Sequence, residues 1–542
     1  MSESSTRCAD DSDSDPRDSL NSLLQNSEAG KSDCSAQCEP EKRRAYCCNS
    51  VAQCVWGVLL LIMSIGGLLY TPLDLMLWEK LNMRPGFPPY EWWADPPDEV
   101  RMRAYVFNVT NHDRYMRGLD DKLNVHELGP VVYLEKLLHS NIRFNENNTL
   151  TYTARRFAIF LPDENNIDLN ATIIVPNLAL LGISSYLSTA PYIAKLLFRG
   201  IASQSDFFLK KTIYEYLWEY REPILDTSKS IAPGLVPVNN MGMLARIYAD
   251  FTDEVTVKIG PRWGHEHFFQ IDRFHGEPQM PGYDPQKCPD RIFGSTEGVM
   301  YHQHITKKDV LLYWRKTVCK LMPLYFDSEQ TVDNVSVYRF NLSESVFERT
   351  NGTDCYNTEP PLPPGLSDAS KCYFNFPMVV SFPHFYTGGL PKDYYVTGLQ
   401  PDRYKHNSYA VVEPLTGTPF LSVARMQSNL HLKDLSGFSE DYNKFSNLII
   451  PLFWAEYNQE GLPKRIQGTI FFMTVILPPL TTVILTATLL IGCFIIFRQI
   501  YIHNFKNDSL NSVLQLQYNQ NKVIASTKWF ANEKEVFLKP PS

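Results

Sequence analysis

Two long apolar runs interrupt an otherwise mixed pattern of hydrophobic and polar positions. The first covers residues 51–70, includes CVWGVLLLIMSIGGLLY from Cys54, and has no charged side chain in twenty positions. At about 1.5 Å of rise per residue, a helix of this length matches the roughly 30 Å hydrocarbon core of a bilayer. Some fifty mostly polar residues precede it, whereas a secretory signal places an apolar core of roughly 7–15 residues near the chain start. The run is therefore expected to persist as an anchor. The second run, GTIFFMTVILPPLTTVILTATLLIGCFIIF at 468–497, is thirty residues long, uncharged, and has Pro478 and Pro479 near its middle. Each proline removes a backbone donor, which predicts a kinked spanning helix.

Between the runs the period shortens to two. VRMRAYVFNV (100–109), YTARRFAIF (152–160), DEVTVKIG (253–260), VSVYRFNL (335–342) and FLSVARMQSNLHL (420–432) alternate as half-buried strands do. Gly, Pro, Asn and Asp clusters separate them, which predicts an antiparallel sheet, sandwich or barrel. One block departs from this pattern. Residues 177–222 are apolar at helical spacing and predict two or three helices, interrupted at Pro191 and Gly200 and stopped by Pro223. Lys195, Arg199, Lys210 and Lys211 lie among them. Such a block suits a helical cap on the sheet, or an apolar surface for an amphiphile with an anionic head. Residues 80–97, KLNMRPGFPPYEWWADPP, read as an extended, Pro-rich exit from the first span. Residues 1–45 are too rich in Ser, Asp and Glu to fold alone.

Charge orients the chain. Lys42, Arg43 and Arg44 precede the first run and the next basic residue after it is Lys80, so the N-terminus is expected in the cytoplasm. Two spans return the chain to that side. The expected plan is a cytoplasmic tail at 1–50, a span at 51–70, an extracellular or lumenal domain at 71–467, a span at 468–497, and a cytoplasmic tail at 498–542. Six Asn-x-Ser/Thr acceptors, Asn108, Asn147, Asn170, Asn334, Asn341 and Asn351, fall between the spans, and one, Asn507, lies beyond them. That distribution favours a glycosylated exterior. Of eleven cysteines, Cys288, Cys319, Cys355 and Cys372 lie in the exterior segment, and four cysteines admit three pairings into two disulfides. Cys47, Cys48 and Cys54, at the cytoplasmic edge of the first span, are candidates for palmitoylation.

A net charge of −8, with no basic cluster beyond Lys42–Arg44, gives no footprint for nucleic acid. The block WGHEHFFQIDRFHG (263–276) would align His265 and His267 on one strand face, but it lacks the helical H-E-x-x-H spacing, so no metal is expected there. No nucleophile elbow, phosphate loop or dinucleotide fingerprint occurs, so neither an enzyme nor a cofactor is expected. DSLNSLLQ (18–25) recurs as DSLNSVLQ (508–515) in the two tails, which suits a peptide read by a cytoplasmic partner.

RAYVFNVTN (103–111), ELGPVVYLEK (127–136), LWEYREP (217–223), SFPHFYTG (381–388), VEPLTGTP (412–419) and ARMQSNLHL (424–432) resemble, in order, the class B scavenger receptor family. That family includes the fatty-acid translocase, the lysosomal integral membrane protein and the sensory neuron membrane proteins. The resemblance covers roughly residues 50–498 and leaves the tails outside. It implies an α+β membrane protein, with an irregular antiparallel β-barrel, a helical apex at 177–222 and an apolar tunnel. It implies a cell-surface receptor that binds lipids or lipoproteins and passes a fatty acid, sterol or carotenoid to the membrane. The alternative is a protein-binding receptor for adhesion, phagocytosis or escort of cargo to an endolysosomal compartment. Plasma-membrane residence is implied, with endosomal or lysosomal membrane as the other address, and homo-oligomers are compatible with either. By family pattern Cys288 pairs with Cys355 and Cys319 with Cys372. The lysines that fatty-acid-binding members carry ahead of the LW-x-Y-R-x-P motif align with Ala202 and Gln204 here. Lys195, Arg199, Lys210 and Lys211 are the remaining candidates for a ligand entrance.

Overall fold

The computed structural model describes residues 38–536, apart from 97–99, 235, 250–251, 285, 287, 289–291, 350–355, 357, 359–360 and 389–395. The chain forms two compact units, one of residues 71–480 and one containing both apolar helices, 1–70 with 481–542.

In the helical unit, the first helix runs Cys38–Leu69 and the second lies within Leu477–Val536. Glycine lets them approach closely. A Cβ on Gly492 would sit 3.1 Å from Leu61 and 3.2 Å from the Gly57 carbonyl, and one on Gly67 would sit 2.8 Å from Leu485. Small residues permit such backbone proximity in apolar helix pairs. Near the charged end, Ser50 Oγ donates to Gln499 Oε1 at 2.6 Å, and Gln499 Nε2 donates to Gln53 Oε1. Ahead of Pro478 and Pro479, residues Phe472–Ile476 widen into a π-turn. This is the accommodation expected where two prolines withdraw donors from the turn before them.

The larger unit is built on an antiparallel sheet. Its strands are β1 Val100–Val109, β2 Leu123–Asn145, β3 Thr149–Phe160, β4 Thr172–Pro176, β5 Phe208–Thr212, β6 Thr252–Lys258, β7 Ile271–Phe274 and β8 Val310–Arg315. They continue as β9 Lys320–Val332, β10 Val335–Leu342, β11 Ser367–Asp368, β12 Met378–Ser381, β13 Val396–Thr397, β14 Tyr409–Glu413, β15 Thr418–His431 and β16 Ile449–Gln459. The main path is β7-β6-β3-β2-β1-β16-β15-β14-β10-β9-β8, with β4 and β5 forming a separate hairpin. Both ends of the path bond to one segment. Gly294 and Ser295 exchange backbone hydrogen bonds with Ile271 of β7, and Thr296 exchanges them with Leu312 and Trp314 of β8.

All five strands expected from alternation are present. Two other expectations are corrected. Residues 80–97 are not extended. They contain the end of a helix at Pro72–Leu81 and a further helix at Pro88–Ala94. Thr71 closes a capping box on Asp74, and prolines stand at the first positions of both helices, where no donor is needed. The second helix buries Trp93, which stacks on His139 at 4.5 Å between centroids.

Within 177–222, helices cover Leu178–Tyr186 and Tyr192–Ile201, and Pro191 caps the second, but Gly200 lies inside its last turn. Residues 208–212 are strand β5, paired with β4. Pro223 does not stop a helix; it opens the one at Pro223–Ile231. The same missing donor that breaks a helix interior is harmless at its start.

Candidate functional site

Four helices, the loops at 236–241 and 374–377 and residues of β12, β15 and β16 bound an apolar cavity of about 370 Å³ at the helical block. Each wall follows from local sequence. Asn177 caps the helix Leu178–Tyr186 by accepting from Leu180 N at 3.0 Å, so this very apolar segment can be buried without orphaned donors. Gly182 faces the cavity because the Phe376 ring fills the place of a side chain; a Cβ there would lie 2.2 Å from it. The helix Tyr192–Ile201 turns Leu197, Phe198 and Ile201 inward, and the helix Met243–Ala249 contributes Met243 and Ile247. The disulfide Cys319–Cys372 fixes the opposite wall, where Cys372 and Tyr373 line the space.

The rim is apolar and open. Tyr186, Leu197, Ile201, Ile231 and Phe374 all line the cavity, and Leu197, Ile231 and Phe374 are about two-thirds exposed (65%, 65% and 64%). Outward along the same helix, Tyr192, Ile193 and Leu196 are exposed as well. Among the described residues the one charged group in the wall, Lys316, is paired with Asp253 at 3.2 Å.

Two smaller cavities follow along the sheet. A middle one of about 130 Å³ is bounded by Glu135, Arg156, Glu297, Arg315 and Tyr457 among apolar side chains. A lower one of about 140 Å³ lies between Leu77, Lys80, Trp92, Trp93, Ile466 and Ile470. Strand periodicity orders them. On β16, Phe453 borders the upper cavity, Tyr457 the middle one, and Gln459 both the middle and the lower, all on one face of the strand. On β15, Ser428 borders the upper cavity, and Met426, Ala424 and Ser422 the middle one.

The middle cavity has a buried polar end. Glu135 accepts from Arg315 Nη2 at 3.1 Å and from Tyr248 OH at 2.7 Å, and the Arg315 guanidinium lies 3.6 Å from the Tyr457 ring centroid. Glu297 accepts from Tyr152 OH at 2.6 Å and from Arg156 at 3.5 Å. Burial holds the Glu297 carboxyl above the usual carboxylate range. In the lower cavity Lys80 donates to the Thr416 carbonyl at 2.7 Å, and burial lowers its pKa to about 8.

The four basic residues expected at an entrance do not line these cavities. Lys195 lies 5.6 Å from the Phe438 ring centroid, Lys211 pairs with Glu222 at 3.1 Å, and Lys210 is exposed on β5. Arg199 is half-buried on the cavity helix, beside Tyr442. Asn147, Asn170 and Asn334 are exposed in turns, while Asn108 and Asn341 are half-buried on strands; Asn351 lies outside the described residues. Cys288 is disulfide-bonded, and Cys355 lies outside the described residues. Cys54 is a free thiol, and the side chains of Cys47 and Cys48 lie outside the described residues. His265 is in a turn, not a strand, and bonds Gln303 at 2.6 Å; among the described residues no group of three or more His, Cys, Asp or Glu is placed to hold a metal.

The motifs behind the resemblance meet in space. Glu127 of ELGPVVYLEK accepts from His384 of SFPHFYTG and from Trp454, each at 2.6 Å. Sequence reasoning missed the Glu135–Arg315 and Glu297–Arg156 contacts. Nothing in the spacing of four charges along 180 residues marks them as neighbours.

Residues 55–503 match the CD36 family. Scavenger receptor class B member 1 from Cricetulus griseus is 25% identical over 433 residues, covering 78% of this chain and 83% of its own length. The Rattus norvegicus protein of that name is equally similar, at 25% over 433 residues. Lysosome membrane protein 2 from Homo sapiens is 26% identical over 405 residues, covering 73% of this chain and 82% of its own.

Proposed function

Because this chain belongs to the CD36 family, we propose that it is a two-span membrane receptor that captures a lipid at the upper cavity and delivers it along the sheet interior to the bilayer. The observation that carries this reading is the open apolar rim around a cavity of about 370 Å³. Each CH₂ withdrawn from water there contributes about 0.8 kcal/mol, and release into a bilayer costs little because both environments are apolar. Exposed Tyr192, Ile193 and Leu196 extend the rim outward, which suits a lipid presented free or on a lipoprotein. The segment 294–296, bonded to both end strands, supports a closed barrel around the delivery path. On this reading both tails are cytoplasmic, the six sequons between the spans are glycosylated, and the plasma membrane is the site of action.

The test is lipid mass spectrometry on the secreted domain, residues 71–463, made in a glycosylating cell. A defined lipid in stoichiometric amount, absent from a control glycoprotein and lost on Leu197→Asp, is the expected outcome. A folded, disulfide-bonded domain that carries no lipid would refute capture and favour a protein-binding receptor.

A further inference from the structure

One face of β16 runs past both the upper and the middle cavity, through Phe453 and Tyr457. Arg315 borders the middle cavity and Lys316, its neighbour on the chain, the upper one. Tyr248 belongs to the helix whose Met243 and Ile247 line the upper cavity, and its hydroxyl reaches Glu135 in the middle cavity. The Glu135–Arg315–Tyr248 cluster therefore joins residues of the middle cavity to chain neighbours of residues that line the upper one. We infer that this cluster is a head-group filter, a binding site for the anionic head of a single-chain amphiphile, which admits acids to the lower path and holds back uncharged lipids. The inference rests on the capture reading above.

Three observations support it. An uncharged chain pressing between Glu135 and Arg315 would separate a buried pair, 7% and 13% exposed, and offer neither ion a partner. A carboxylate, by contrast, can take the planar Arg315 guanidinium fork while Arg156, 3.9 Å from Glu135, takes that carboxylate over. Second, donors stand ready in the middle cavity. Arg156 approaches Glu297 at 3.5 Å and Glu135 only at 3.9 Å, so most of its five N–H groups have no hydrogen bond among the described residues. Gln459, 4% exposed, accepts from Ser422 through Oε1 while its Nε2 has no partner among the described residues. Third, the volume fits a head and not a whole lipid. About 130 Å³ is close to the size of a cavity that holds one benzene, so the tail must remain among the apolar walls on either side. Glu297, whose carboxyl burial already favours in its protonated form, leaves the two arginines facing one carboxylate once it takes a proton.

The full chain, reconstituted in phosphatidylcholine vesicles, is photolabelled with palmitic acid bearing a mid-chain diazirine and, separately, with its methyl ester. Labelled peptides are then mapped. Both probes should label the upper cavity at Met243 or Phe376. The acid should exceed the ester at Met322 or Met426 in the middle cavity by at least about tenfold, the ratio that one charge-assisted hydrogen bond supplies. Replacing the pair together, Glu135→Leu with Arg315→Met, should bring that ratio to about one. The wild-type comparison needs no variant, so a misfolded double mutant leaves it standing. Equal labelling of the middle cavity by acid and ester, or labelling by neither while the upper cavity reacts, overturns the filter and leaves capture intact. Absence of label in the upper cavity removes capture, and the filter with it.

Discussion

Acid should weaken this domain through a histidine that has no room for a charge. His139 on β2 is 5% exposed, bonds the Trp93 carbonyl through Nδ1 at 2.6 Å, and has no partner for Nε2 among the described residues. Burial lowers its pKa to about 3, and the Arg156 charge acts in the same direction. Its folded pKa lies below the unfolded value, so the unfolded chain takes the proton first. The stability held by the neutral ring is complete above about pH 6.5 and is lost as pH falls toward 3. At pH 5, about 1.5 units below the unfolded pKa, the loss is about 2 kcal/mol, and the ceiling near pH 3 is about 5 kcal/mol. The assay is denaturant unfolding of the 71–463 domain at pH 8, 6.5 and 5, for wild type and His139→Phe. Phenylalanine keeps the stack on Trp93 and removes the titration. Its curve should start lower at pH 8, because a hydrogen bond is gone, and then fall by about 2 kcal/mol less between pH 8 and 5. His406, whose pKa burial and the neighbouring His384 lower to about 4, contributes equally to both proteins and cancels. Parallel pH curves for the two proteins would refute the reasoning.

Lys80 should act at the other end of the scale. Its folded pKa of about 8 lies below the model-peptide 10.5, so the unfolded state binds more protons between those values and stability rises with pH there. Wild type should gain about 3 kcal/mol relative to Lys80→Met between pH 7.5 and 10.5, and no relative gain would show that the amine is solvated. In the helical unit, Gly492→Val should push the helices apart at a cost of about 1–3 kcal/mol. Disulfide trapping between Ser50→Cys and Gln499→Cys, efficient in the parent, should then fail; equal trapping would mean the close approach is dispensable. Removing the Cys319–Cys372 bridge with a double serine variant should cost about 2–5 kcal/mol in denaturant unfolding and lower the lipid content of the upper cavity, which Cys372 lines.

Elements set by local chemistry were legible in the sequence. The strand β10 lies at 335–342 as its alternation predicts, with Val335 and Val337 buried on one side of a register shift at Arg339–Phe340 and Phe340 and Leu342 buried on the other. The apolar runs are helices because length and lack of charge leave few alternatives. What escaped was decided by distant partners. β16 is buried on almost every residue, IIPLFWAEYNQ, so it carries no alternation to read. The strand β5, FLKKT, sits in helix-like surroundings and becomes a strand only by pairing with β4. Two of the six motifs behind the resemblance hold structural contacts. Glu413 of VEPLTGTP accepts from Leu415 N and Thr416 N to shape a turn, and Gln427 and Asn429 of ARMQSNLHL are fully buried. Basic residues stand out in the sequence of this block, whereas the cavity mouth is apolar, and apolar helices that form a rim look in sequence like helices that form a core.

β16 has one further consequence, for insertions and deletions. Its odd positions, Phe453, Tyr457 and Gln459, face three cavities in turn, while its even positions, Trp454 and Glu456, hold Tyr105, Arg103 and Arg425 on the reverse. The strand therefore has a reading frame. A single residue gained or lost ahead of Phe453 would turn Glu456 toward the cavities and Tyr457 away from them, exchanging wall for scaffold along the rest of the strand. A change of two residues would restore the faces and merely shift each cavity's neighbour by one step, so chain-length variation in this strand should be tolerated in even numbers and rejected in odd ones.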